Sequence, residues 1–306
     1  MAYFHVVFTV PTQIGRIAYQ NKAVVYNLLL KAAAETLLTI GADPKHLGAR
    51  LGLIGVLHTW GSALTHHPHV HFIVPGGGLS PDGKSWLASR DNFLVSVKVL
   101  SALFRRLFLD KLLQLYAEDQ LSFFGKLTAL QHPRAFKRLL ARLRHRRWYV
   151  DAREPFAGPK AVLAYLSRYT HRVAIANSRL IDFDEHRVTF KWKDYRAKQH
   201  NRYKTMSLDT HEFIRRFLIH VVPRGFHRIR HYGLFANAQR KQNLDNARQL
   251  LSVKTPLELN DSEAALEPSA PAWLLCPDCG TTMRIVDVFD SAHVPPPPPH
   301  RGGDPP

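Results

Sequence analysis

The chain opens on a β-branched and aromatic run, Tyr3 to Val10, that stops at Pro11; this predicts a buried strand at the start of a domain. From Asn21 to about Leu38, Val24, Val25, Leu28, Leu29, Ala32 and Ala33 recur at helical spacing. Arg50 to Trp60 predicts a second strand, Gly61 and Ser62 interrupt it, and His69 to Val74 predicts a third that ends at Pro75 and three glycines. So short a connection predicts antiparallel pairing of the last two. Leu94, Val97, Leu100, Phe104, Phe108, Leu112 and Tyr116 place one apolar face on a long helix over residues 92–120. A basic helix is predicted over 132–147, a short strand over 148–152, a helix from Pro159 to about Thr170, and strands over 173–183 and 187–192. A last helix is predicted over 209–220, with Phe213, Phe217 and Leu218 facing inward.

The order is neither a clean βα alternation nor all-β, so the expected class is α+β. Residues 1–250 read as one domain, with a helical insertion over about 91–147. Residues 251–275 are rich in Pro, Ser, Glu and Ala and read as a linker. Residues 276–306 combine a Cys276-Pro-Asp-Cys279 knuckle with a run of five prolines, and read as half of a zinc knuckle followed by a disordered tail.

Charge narrows the partners. Forty-two Lys and Arg stand against 24 Asp and Glu, a net +18 over 306 residues with the 18 His neutral. Such an excess favours a polyanion, because cations that neutralise phosphates release condensed counterions. Two cysteines cannot build a disulfide framework, which points to a reducing, intracellular compartment. The first 12 residues lack the pattern of a secretory signal, and the uncharged apolar runs fall short of the roughly 18 residues that span a bilayer.

Candidate chemistry lies in two places. His69 and His71 flank one apolar residue on a predicted strand, and a period of two puts both rings on one face, where they could hold a divalent metal. Roughly one His-x-His is expected by accident at this histidine content, and two core histidines are the alternative, but two rings buried on a core face need partners, and a shared metal supplies them. His58, on the preceding strand, lies beside them if the strands are antiparallel and is the third candidate ligand. His66 and His67 are read as turn residues outside the ligand set.

On the helix predicted after Pro159, Tyr165 and Tyr169 sit at i and i+4, one above the other. That spacing also suits core packing, but Arg168, His171 and Arg172 border the two hydroxyls with positive charge. A phenol of pKa about 10 attacks a phosphodiester at neutral pH only with help from a metal or base. Downstream, Lys191, Lys193 and Arg196 interleave with Trp192 and Tyr195, and Arg224, Arg228 and Arg230 with Phe226 and Tyr232. Cations that grip phosphates beside aromatic faces that stack bases suit single-stranded nucleic acid.

Taken together, YFHVVFTVP, GVLHTWGSALTHHPHVHFIVPGGG, PFAGPKAVLAYLSRYTHRVAIANSR, VTFKWKDYR and FIRRFLIHVVPRGFHRIRHYGLFAN resemble the HUH-superfamily, two-tyrosine rolling-circle transposases of the insertion-sequence-ninety-one family, over about residues 3–240. The resemblance implies an HUH endonuclease-like domain, with a central antiparallel sheet carrying the histidines and a helix presenting the tyrosines. It also implies a DNA transposase acting in the bacterial cytoplasm, with no membrane partner. In such enzymes one tyrosine attacks single-stranded DNA, leaving a 5′-phosphotyrosine bond and a free 3′-hydroxyl, and the second permits strand transfer. Tyr165 and Tyr169 would be that pair, and His69 and His71 the HUH histidines. The divalent metal would be Mg²⁺ or Mn²⁺, completed by phosphate oxygens and water because imidazoles alone favour softer ions. Relatives carry a cysteine-rich zinc-binding domain before the first strand, whereas here Met1 almost abuts it, so the expected chain lacks that domain. Two other readings remain open at this point: a non-catalytic DNA-binding remnant of the same ancestry, and a zinc hydrolase that uses the three histidines and an activated water.

Overall fold

The computed structural model describes residues 2–90, 94–153, 162, 174–194 and 203–252, with residue 237 described in its backbone alone. Its elements are β1 (Tyr3–Thr9), α1 (Thr12–Gln20), α2 (Lys22–Ala42), β2 (Gly52–Trp60), β3 (His66–Pro75), β4 (Gly77–Leu79), β5 (Trp86–Ala88), α3 (Val97–Ala117), α4 (Pro133–Arg144), β6 (Val150–Arg153), β7 (Leu180–Phe183), β8 (Arg187–Lys193), β9 (Tyr203–Asp209), α5 (Thr210–Leu218), β10 (Ile229–Gly233) and α6 (Arg240–Leu250). The class is α+β, as expected. Its centre is a five-stranded antiparallel sheet in the order β10-β2-β3-β1-β6.

Alternation along each strand gives the sheet two different faces. Phe4, Val6 and Phe8 of β1, Val70, Phe72 and Val74 of β3, and Leu53 and Leu57 of β2 share one face and are all buried. Onto it pack Leu29, Leu30, Ala33 and Leu37 of α2 and Leu100, Phe104 and Phe108 of α3. Ring centroids 4.9 Å apart join Phe8 to Phe104, and 5.4 Å join Phe104 to Trp148. Each such side chain stabilises the fold by about 1.5–3 kcal/mol through burial. Gly55 of β2 belongs to this face because a Cβ there would lie 2.7 Å from the Phe72 ring.

At 21 residues α2 is by length and composition long and apolar enough to cross a membrane, although Lys31 and Glu35 keep its uncharged runs short, as expected. Packing explains the composition: a helix apolar around most of its surface is one covered on several sides, and α2 is buried in the core that also holds the sheet and α3. A helix missed in the sequence, α1, precedes it. The break falls at buried Asn21, whose side chain donates to the carbonyls of Ile17 (3.0 Å) and Ser122 (2.9 Å) and accepts from the Ser122 amide (2.7 Å).

Four further strands were hidden. The short β4–β5 pair follows Pro75, where only a strand end was expected. β9 carries mostly exposed side chains, and β10 is a charged edge strand of the main sheet that reads as a basic block. The strand expected over 173–183 is confined to Leu180–Phe183, preceded by a 3₁₀ turn at Asn177–Arg179. The sheet β7-β8-β9 has its own small core, in which Phe190 and Phe213 pack with Trp60 at the end of β2 and Leu64 of the β2–β3 connection. Phe213 and Phe217 of α5 face that core as expected, but Leu218 does not: it is 56% exposed.

Candidate metal centre

The other face of the central sheet carries the histidines. β2 and β3 are antiparallel with His58 opposite His69 and Val56 opposite His71, so all three imidazoles share a face. One nitrogen from each lies within 4.8 Å of the others. Ring centroids are 4.2 Å apart for His58 and His71, 4.9 Å for His69 and His71, and 5.5 Å for His58 and His69. β3 begins at His66, so His66 and His67 belong to the strand rather than to a turn.

Hydrogen bonds orient the rings. His69 Nδ1 lies 2.6 Å from the His67 carbonyl, which can only accept; Nδ1 therefore carries the proton and Nε2 keeps its lone pair. His71 Nδ1 lies 2.7 Å from Nε2 of His5, and the two rings stack at 5.0 Å and 8°. His5 was not singled out in the sequence. It is two residues along β1 from Val7, the residue opposite His71, and so shares the face. Trp60 stacks on His58 at 4.8 Å and completes a wall.

The site favours neutral imidazoles, the form that ligates metal. Burial pushes His58 well below its ordinary value, and a proton on it would further be repelled by Arg228 and by any proton on His69 or His5. Burial likewise lowers His69 to about 4. Three imidazole nitrogens at this spacing fit a divalent cation, with phosphate or water oxygens filling its remaining positions.

A second histidine pair braces the β2–β3 connection. His220 Nε2 donates to the Leu64 carbonyl and its Nδ1 faces Thr59 Oγ1, both at 3.2 Å. His66 Nε2 meets the Tyr26 hydroxyl at 2.8 Å, and the His66 and His220 rings stack at 6.4 Å. Neither ring belongs to the ligand cluster.

Of the expected DNA-binding residues, Lys191 and Lys193 lie on β8, which Ser62 of the β2–β3 connection ties down through the Lys193 amide (2.9 Å) and carbonyl (2.5 Å). Lys193 also sits over the Tyr203 ring at 5.6 Å. Arg224 is exposed, while Arg228 is close enough for its charge to act on His58. Arg230 is held by the protein itself: it donates to Asn27 Oδ1 and lies 4.9 Å above the Phe226 ring. Tyr165, Arg168, Tyr169, Arg172 and Arg196 lie outside the described residues, as do Cys276 and Cys279. Val162, three positions before Tyr165, is described: it is buried and packs with Ile73, Tyr3 and Ile54, all on the histidine-bearing face.

Residues 52–243 match the family model described as "Y2_Tnp: Putative transposase". The chain is 51% identical over 302 residues to "Putative transposase y4qJ" of Sinorhizobium fredii, covering 96% of this chain and 75% of that protein. It is 27% identical over 253 residues to the "Transposase for insertion sequence element IS801" of Pseudomonas savastanoi pv. phaseolicola, covering 82% of this chain and 58% of that one, less than two thirds of its length. No solved structure matches the chain.

Proposed function

Because the chain belongs to the Y2_Tnp family of insertion-sequence transposases, we propose that it cleaves and transfers single-stranded DNA through a 5′-phosphotyrosine intermediate, with Tyr165 and Tyr169 as nucleophiles and His58, His69 and His71 as ligands of Mg²⁺ or Mn²⁺. The observation that carries this reading is the three-histidine cluster, built on adjacent strands inside the family match. Val162 adds support, since it packs on the histidine-bearing face three residues before Tyr165.

A bound divalent cation supplies Lewis-acid polarisation of the phosphodiester. The chain's residues do the rest. His67 and His5 hold the rings of His69 and His71 in fixed orientation. The phenol oxygen of one tyrosine bonds to phosphorus as the bond to the 3′-oxygen breaks; the phenolic proton leaves to solvent and a proton returns to the 3′-oxygen, giving a free 3′-hydroxyl. The other tyrosine remains to accept a second strand. Arg168, Arg172, Lys191, Lys193, Arg196, Arg224, Arg228 and Arg230 neutralise the phosphates of the strand. Residues 1–250 form the catalytic domain, residues 251–275 a linker and residues 276–306 a separate tail, and the enzyme works in the cytoplasm on chromosomal and element DNA.

The test is a denaturing gel of the protein incubated with labelled single-stranded DNA and Mn²⁺. The expected result is a covalent adduct that is lost in His71→Ala and in the double variant Tyr165→Phe/Tyr169→Phe. No adduct with the parent protein refutes the enzyme reading and leaves a DNA-binding remnant. Metal-dependent cleavage that survives both Phe changes means that water, not tyrosine, attacks.

A further inference from the structure

Phe136, Leu139, Leu140 and Leu143 turn one side of α4 into the same core that holds Phe4 and Phe8. Phe136 stacks on Tyr116 of α3 at 4.0 Å, and the Trp148 indole donates to the Leu143 carbonyl at 3.2 Å. The opposite side of the helix carries Arg134, Lys137, Arg138 and Arg142, all exposed. No acidic residue occurs between Pro133 and Arg147, and among the described residues none of these four cations forms an ion pair. Arg144, by contrast, is paired with Asp110 at 2.5 Å.

Arg134, Arg138 and Arg142 recur every fourth residue, so they form a row that climbs about 6 Å per step along a rigid helix. Between them on that side lie Ala135, Lys137 and Ala141, with no aromatic ring. Single-strand sites combine cations with stacking aromatics, whereas a row of cations alone offers contact with backbone phosphates and suits a duplex. Because the buried side of α4 joins the core on the helix-bearing face of the sheet, the charged row points away from the histidine-bearing face. A strand held at the histidines is on the other side of the sheet.

We propose that the α4 row docks a second DNA segment, a duplex held through its phosphates, separate from the strand that is cut. The proposal goes beyond the cleavage reading and does not depend on it. The three arginines are exposed, and glutamine has nearly the same helix propensity as arginine, so the triple variant R134Q/R138Q/R142Q should fold as the parent does. Binding of a labelled duplex is measured by fluorescence anisotropy between about 50 and 200 mM salt. Each phosphate contact contributes about 0.9 to the slope of log K against log salt, so the triple variant is expected to lose about 2.7 from that slope, and R138Q alone about 0.9. Three lysines at the same positions should restore it, since neutralisation needs charge and not a guanidinium fork. An unchanged slope in the glutamine variants overturns the proposal. So does an equal loss on a single-stranded oligonucleotide, or a loss confined to phosphatidylserine vesicles. Adduct formation on single-stranded DNA should be the same in parent and triple variant; if neither forms it, the cleavage reading fails while the duplex slopes still decide this one.

Discussion

The His66–His220 pair makes a quantitative prediction about acid. Both rings are held neutral, chiefly by burial and then by positive charge: His220 and Lys22 act on His66, and Lys22 acts on His220. Each is lowered from 6.5 to about 4. The unfolded chain therefore binds more protons than the folded one between these values. The stability contributed by the pair is complete above about pH 6.5, is lost as pH falls toward 4, and changes no further below that. Integrated from pH 7 to 5, one such histidine costs about 1.8 kcal/mol; the pair costs about 2–4 kcal/mol once the partial exposure of His66 is allowed for. The assay is urea unfolding followed by tryptophan fluorescence at pH 7, 6 and 5, for the parent and for His220→Asn. The variant should be less stable at pH 7 by about 1–3 kcal/mol, because the Leu64 carbonyl loses its donor. Its stability should nonetheless fall less steeply with acid, by up to about 1.4 kcal/mol per pH unit near pH 5.5. Equal slopes in parent and variant would refute the assignment of acid sensitivity to this pair.

Three other outcomes are expected. His5→Phe keeps the ring stack but removes the hydrogen bond to His71, and should weaken Mn²⁺ affinity about 10- to 100-fold in a calorimetric titration while leaving the unfolding midpoint of the metal-free protein nearly unchanged; undiminished affinity means that His5 does not support the site. Mn²⁺ at about 100 times its dissociation constant should stabilise the fold by about 2.7 kcal/mol, with EDTA reversing the gain and His69→Ala abolishing it; a gain that persists in His69→Ala would place the ion elsewhere. Phe8→Ala empties a position packed against Phe72 and Phe104 and should cost about 3–5 kcal/mol in urea unfolding, and a loss below about 1 kcal/mol would contradict the core described above.

What could be read from the chain depended on how local each signal was. The β2–β3 pairing was legible because two apolar strands flank a short connection, and the pairing alone put His58 beside His69. His5 was not, because a single histidine in an apolar strand declares no partner, and its partner stands 66 residues away. β9 and β10 escaped because edge and outer strands bury too little to show an apolar run, so charge dominated their appearance. The fastening of Arg230 to Asn27 and Phe226 was equally hidden, since Asn27 stands 203 residues away and only the basic block around Arg230 shows in the sequence. The histidine cluster and the core are nevertheless specified by one and the same register. On β3, Val70, Phe72 and Val74 alternate with His69, His71 and Ile73, and the two sets point to opposite faces. A slip of one residue would drive imidazoles into the Phe8–Phe104 packing and turn Phe72 out, at a cost of several kcal/mol for each side chain misplaced. The apolar residues therefore do more than hold the sheet together: by making every other register expensive, they hold three candidate ligands on two central strands within 4.8 Å of one another, in a cluster whose rigidity comes from the core behind it.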